Sequence, residues 1–200
     1  MNCRVLWLED DAAEAVAAAA GVLSRGGVVV FPTDTVYGLL AASGSPAAYQ
    51  RLFEIKGRLS GKPLALLAHR ASALVAQAEL ALSAQAELLD DFRRGTLTVV
   101  LPPAALPGLP PSVQQLQPGS VGLRCPAHAA LQQLLAAVWG LVWATSLNAA
   151  GEPAVADASA AQEWLTGHGG AELAVLARTA MEGRPSRVVR LEQGQATQLR

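Results

Sequence analysis

Residues 27–31 read GVVVF, and this run constrains the chain more than any other stretch. It is short, β-branched and apolar throughout, so it reads as a strand covered on both faces, which calls for helices on either side of a sheet. The flanking pattern supplies them. Asp10 or Asp11 can cap a helix through the alanine-rich stretch to Ser24, ended by Gly26-Gly27. Ser45-Pro46 starts another, a cap residue followed by proline at the first helical position, with Tyr49, Leu52, Phe53 and Lys56 at spacings of three and four before Gly57. Further strands are expected at 64–68, 97–101, 121–124, 141–145, 173–176 and 187–191, and further helices at 83–94, 129–138 and 158–165. Alternation without an internal repeat predicts an α/β domain with a largely buried sheet and ligands at strand ends.

Composition narrows the class. At 200 residues, 52% hydrophobic and 16% charged, the chain is expected to form one well-buried domain, not a disordered one. A formal charge of −1 leaves no overall basic field to gather nucleic acid, so any polyanion site is local. The start, MNCRVLWLEDD, is acidic where a signal peptide is basic, and the longest apolar stretch, 134–144, falls short of the roughly 18–20 residues of a membrane helix; a cytoplasmic location without membrane contact is expected. Cys3 and Cys125 sit in no C-x-x-C pattern and read as plain thiols. His69, His128 and His168 lack metal-ligand spacing, so no protein metal site is predicted. Residues 102–119 hold six of the twelve prolines and read as a semi-rigid solvent loop in preference to a lid.

Three segments carry chemistry. The first is KGRLSGK at 56–62, which contains both lysines of the chain, Lys56 and Lys62, with Arg58 between them. It is not a Walker loop: Gly57 and Gly61 enclose three residues, not four, and Pro63 follows Lys62. Three cations between an apolar helix and an apolar strand suit phosphates or a carboxylate, lysine as a point charge and arginine as a fork. The second is PTDTVYG at 32–38, which puts Thr33, Asp34 and Thr35 at the carboxyl end of the buried strand, where an α/β sheet opens its crevice; an ordinary turn with these side chains satisfying the backbone is the alternative. The third is Ser146-Leu147-Asn148 at another strand end, with groups able to read a base, ribose or phosphate. No Ser-His-Asp set accompanies Ser146.

Together these segments resemble the YrdC-like family, the threonylcarbamoyl-AMP synthases. Lys56-Gly57-Arg58 stands for its K-x-R, Ser146-Leu147-Asn148 for its S-x-N, and 32–38 for its P-T-[ED]-[TAS]-V-[YFW]-G. Gly95-Thr96-Leu97-Thr98, Val121-Gly122-Leu123-Arg124 with Pro126 and His128, and Pro185-Ser186 follow in the family's order. Arg93-Arg94 in place of Trp-Pro, and Leu67 in place of His, suit the short bacterial type. The resemblance implies a single domain over residues 1–200, with its motif-bearing core at about 20–195 and no second domain. The fold would be a twisted mixed parallel/antiparallel sheet flanked by helices, with an open cationic cleft. The implied reaction joins L-threonine, bicarbonate and ATP into L-threonylcarbamoyl-AMP and pyrophosphate, the first step toward threonylcarbamoyladenosine in tRNA. Lys56 and Arg58 would be catalytic; Lys56, Arg58, Lys62, Ser120, Ser146 and Asn148 would hold ATP; Thr33, Thr35, Arg124 and Ser186 would hold threonine. Mg2+ would enter with ATP without dedicated protein ligands. Downstream threonylcarbamoyl-transfer proteins and weak tRNA binding are the other implied partners.

Two rival readings remain at the level of sequence. One is an RNA- or ribosome-binding module of the same fold without adenylation, which the local cations permit and the near-neutral total charge disfavours. The other is carbamoyl transfer of the hydrogenase-maturation kind, whose accompanying acylphosphatase and zinc segments have no counterpart here.

Overall fold

The computed structural model describes residues 3–57, 63–138, 140–149 and 151–200. Within them the elements run β1 (Arg4–Trp7), α1 (Ala12–Ser24), β2 (Val28–Phe31), β3 (Gly38–Ala42), α2 (Pro46–Ile55), β4 (Ala65–Ala68), α3 (Ala73–Leu82), α4 (Ala86–Arg93), β5 (Leu97–Leu101), a 3-10 turn (Pro103–Ala105), α5 (Pro111–Leu116), β6 (Val121–Arg124), α6 (Ala129–Ala137), β7 (Leu141–Ser146), α7 (Ala158–His168), β8 (Leu173–Leu176), β9 (Arg187–Glu192) and β10 (Gln195–Gln198). One sheet orders the strands β1-β8-β2-β3-β7-β4-β6-β5-β9-β10. β8 is parallel to both β1 and β2, β4 to β6 and β5 to β9, while the other neighbours are antiparallel. The sheet is therefore mixed, as the family resemblance implied.

Helix starts follow local chemistry. Asp11 Oδ1 accepts from Glu14 N at 2.9 Å, Ser45 Oγ from Ala48 N at 3.2 Å and Asp157 Oδ1 from Ala160 N at 2.9 Å, each satisfying an orphan amide of a first turn. Strand pleating then sorts side chains to two faces. On the first face Val28, Val30, Leu39, Ala41, Leu66, Leu97, Val99, Leu123 and the fully buried Trp143 meet α2, α3, α4 and α7. On the second face Val29, Phe31, Leu40, Leu67, Val142, Leu173 and Val175 meet only α1 and α6. The expected two-sided cover of β2 is thus present.

Several elements differ from expectation. β1, β3, α3 and β10 were not anticipated. The predicted helix at 83–94 is shorter and is preceded by α3, joined through a turn at Ser83. The proline-rich stretch is not a solvent loop. Leu106, Leu109 and Val113 point into the first core, and Gln77 Nε2 donates to Pro107 O at 2.8 Å, so apolar residues between the prolines anchor it. Cys3 and Cys125 are free thiols whose pKa is raised chiefly by burial, which disfavours the reactive thiolate.

His128 caps α6, its Nδ1 accepting from Leu131 N at 3.3 Å, and meets Phe31 edge-on at 6.5 Å. Burial lowers its pKa from the ordinary 6.5, with Asp34 opposing. The unfolded chain therefore takes up a proton first on acidification, and this contribution to stability, complete above about pH 6.5, is lost as the pH falls below that value toward the folded pKa. Denaturant midpoints between pH 7.5 and 5 should fall more steeply in the native protein than in His128→Asn, which keeps a capping acceptor without titrating.

Candidate active site

The second face runs out of helices before the sheet ends. Beyond α1 and α6 the residues on that face are Ala65, Thr98, Val100, Gly122, Arg124, Val188 and Arg190, and they line a cleft of about 920 Å3. Its floor is low for a physical reason. A Cβ on Gly122 would stand 3.3 Å from Thr98 Cγ2, so a side chain there would crowd the floor and rise into the cleft.

At one end, the last turn of α2 delivers Lys56, which is 4% exposed. Its Nζ donates to Ser146 O and Asn148 O, each at 2.7 Å, and to Asn148 Oδ1 at 2.6 Å. Ser146 Oγ donates to Asn148 Oδ1 at 2.7 Å, and Asn148 Nδ2 donates to Glu152 O at 2.6 Å. The two motifs expected to serve one nucleotide thus meet directly. Lys56 holds the turn after β7 in shape, and its cation lies at the carboxyl end of α2, where the helix dipole favours it. Tyr37 secures the same turn from the other side. Its N donates to Val155 O and its O accepts from Leu147 N, both at 2.8 Å, while its hydroxyl accepts from Ala177 N at 2.8 Å. Burial raises the Tyr37 pKa.

At the other end, the residues after β2 fold on themselves. Thr33 Oγ1 donates to Val36 O at 2.7 Å and accepts from Thr35 N at 3.0 Å, so the hydrogen between the two threonine hydroxyls, 3.1 Å apart, comes from Thr35. Arg124 reaches this loop from the end of β6. Its Nε donates to Gly95 O at 2.7 Å, and its Nη2 to Asp34 Oδ1 at 2.7 Å and to Thr35 Oγ1 at 2.9 Å. Asp34 Oδ2 accepts from Ala127 N at 3.3 Å. Nearby, Thr98 Oγ1 and Ser186 Oγ are 2.9 Å apart.

Thr33, Thr35, Lys56, Ser120, Arg124, Ser146, Asn148 and Ser186, all singled out from sequence, line this one cleft. Arg58 and Lys62 lie outside the described residues. Among the described lining residues the charged side chains are Lys56, Arg124, Arg190 and Arg200 against Glu152, so the cleft is net cationic although the chain is not. Sequence reasoning passed over Asp34 as a partner of Arg124, Thr98 as a hydroxyl on the floor, and Arg200. Thr98 left a signal: it is the polar residue in the run LTVVL, at the parity that faces away from the first core.

Among the described residues no three His, Cys, Asp or Glu side chains gather as a metal site, and no helix is long and apolar enough to cross a membrane. A family model described as Telomere recombination, Sua5/YciO/YrdC, matches residues 21–200. The chain is 34% identical over 135 residues to human threonylcarbamoyl-AMP synthase, covering 68% of this chain and 47% of that protein. It is also 34% identical over 158 residues to the threonylcarbamoyl-AMP synthase of Alkalilimnicola ehrlichii, covering 79% and 78%. Among solved structures, Pyrococcus abyssi Sua5 complexed with L-threonine superposes with a TM-score of 0.78 at 27% identity, covering 100% of this chain and 57% of that one. The chain spans about half the length of the mammalian relatives it matches.

Gly95 ties this geometry together. Its φ is +80°, and a Cβ would collide with Asp34 Oδ2 and stand 2.7 Å from Ala127 N. Gly95→Ala should therefore cost roughly 1–3 kcal/mol of stability and push Asp34 off Arg124, read as a lower denaturation midpoint.

Proposed function

The chain belongs to the Sua5/YciO/YrdC family, and from that premise we propose that it is a threonylcarbamoyl-AMP synthase, joining L-threonine, bicarbonate and ATP into L-threonylcarbamoyl-AMP and pyrophosphate. The observation that carries the reading is the joint one: the K-x-R lysine bonds to the S-x-N turn at one end of the cleft that Arg124 and the 32–38 loop close at the other.

In this reading the phosphates of ATP lie at the Lys56 end, with Arg58 and Lys62 from the adjoining segment, and Ser120, Ser146 and Asn148 hold the nucleotide. Three acceptors already surround the three N–H groups of the Lys56 ammonium, so it serves as a fixed point charge more than as a direct hydrogen-bond donor to phosphate. Threonine lies at the Arg124 end with Thr33, Thr35 and Ser186. Arg124 Nε and Nη2 are engaged by the protein, and Nη1, which has no partner among the described residues, is the donor left for a carboxylate. The threonine amine takes up CO2 from bicarbonate with release of water. A carbamate oxygen then attacks the α-phosphorus of ATP while the bond to the β-phosphate oxygen breaks and pyrophosphate leaves. Such a step needs in-line positioning and charge stabilisation more than a protein nucleophile. Mg2+ would enter with ATP, bound through the phosphates. The mixed anhydride formed is reactive, so a cytoplasmic threonylcarbamoyl-transfer enzyme acting on tRNA adenosine would consume it.

Pyrophosphate release by the full chain should require threonine, bicarbonate and MgATP together. Lys56→Ala should lower the rate about 100-fold or more, because it removes a preorganised charge and loosens the 146–148 turn. Arg124→Ala should raise the KM for threonine well beyond that for ATP. Native protein that releases no pyrophosphate with all three substrates would refute the reading, and equal losses for both substrates in Arg124→Ala would refute the carboxylate assignment.

A further inference from the structure

The cleft has a wall that the family motifs do not include. After β10 the chain turns back along β9: Leu199 N donates to Val188 O at 2.7 Å, and Val188 N donates to Arg200 O at 3.1 Å. Both Leu199 and Arg200 thereby line the cleft, beside Pro185, Ser186 and Val188. The Arg200 Nη2 donates to Ser186 O at 3.0 Å, which aims the guanidinium at the segment whose Ser186 hydroxyl meets Thr98.

The cations of the cleft are not equivalent. Arg124 is paired with Asp34 at 2.7 Å, and Arg190 has Glu192 at 3.7 Å. Lys56 is surrounded by the 146–148 turn. The Arg200 guanidinium has no carboxylate within ion-pair distance among the described residues, and its one hydrogen-bond partner among them is a neutral carbonyl. Partial burial, and secondarily the positive charge of Arg124, lower its pKa although the residue keeps an exposed outer side. A cation that is both desolvated and repelled gains more than an ordinary surface arginine when an anion arrives.

We propose that Arg200 is a substrate-binding residue of this cleft, a second guanidinium beside Arg124 that takes the carboxylate of the amino-acid substrate. The inference rests on the synthase reading above. Assignment to the carboxylate instead of the ATP phosphates follows from position: Arg200 is tied to Ser186 and feels Arg124, whereas the phosphate end is organised by Lys56, Ser146 and Asn148. Arg124 offers its substrate only the donors left over from Asp34, Thr35 and Gly95, so a second fork has a task to do.

The test uses the full chain and three proteins: native, Arg200→Ala and Arg200→Lys. Native protein must first show threonine- and bicarbonate-dependent pyrophosphate release; if it shows none, the synthase reading fails and this inference falls with it. Given that activity, loss of a charged hydrogen bond to substrate predicts that Arg200→Ala raises the threonine KM by about 10- to 100-fold. The ATP KM should stay within about twofold, and Arg200→Lys should recover part of the loss. L-threonine amide, which lacks the carboxylate, provides the sharper readout. Competition by unlabelled amide against threonine should be much weaker than that of threonine itself in the native protein, and this preference should shrink by the same factor in Arg200→Ala. An unchanged threonine KM in Arg200→Ala, or a rise in the ATP KM instead, overturns the inference while leaving the synthase reading standing. Unaltered denaturation midpoints in the variants exclude a folding effect.

Discussion

The two-residue period of a pleated sheet governs this molecule. Every strand from β8 across to β9 presents one set of side chains to each face, and the faces are covered to unequal extents. Four helices and the proline-rich segment blanket the first face, so its residues are uniformly large and apolar. Two helices cover only part of the second, and where they stop the same strands switch to Ala65, Thr98, Gly122 and Arg124. The cleft is therefore a stretch of sheet left bare, walled by loops at the strand ends. A site of this kind has a rigid floor, because every floor residue alternates with one locked into the opposite core.

The polar residues around that floor are engaged with one another as much as with solvent. Lys56 fastens α2 to the turn after β7, and Arg124 fastens β6 to the loop after β2 and to Gly95. Each bond spans roughly the whole cleft wall it helps to build, and each joins segments about ninety residues apart in sequence. Binding groups held this way lose little freedom when a ligand arrives, which is the physical content of preorganisation. A near-neutral chain can also carry a cationic cleft on these terms, since the compensating acids, Asp34 and Glu192 among them, sit behind or beside the cations instead of between them and the opening.

Sequence patterns exposed most of the interior and little of the edges. The apolar runs at β2, β5 and β6 and the cap at Ser45 were legible because period and capping chemistry act locally. β1 and β10 escaped because edge strands such as RVLW and QATQ bury little, and polarity there mimics a loop. α3, reading ALVAQAELAL, is apolar nearly all round and offers no clear stripe. In the proline-rich segment the prolines masked Leu106, Leu109 and Val113, whose spacings of three and four were the informative signal. The site residues were found through motifs, one strand end at a time. What motifs could not express was mutual commitment: that Asp34 answers Arg124, or that the Lys56 ammonium meets the Asn148 side chain, depends on register across the sheet and not on any local pattern.

The position of β1 has a consequence for how the molecule comes into being. Arg4 pairs with Leu173 and Trp7 with Leu176, and β2 also takes β8 as a parallel neighbour. The first strand made by the ribosome therefore has no partner until nearly the whole chain has emerged. At ordinary elongation rates that interval is on the order of ten seconds or more. Its composition suits the wait: β1 is four residues long and begins with arginine, too short and too charged to recruit a stranger. The arrival of β8 then closes that end of the sheet, setting β1 and β2 on either side of it as birth order gives way to spatial order.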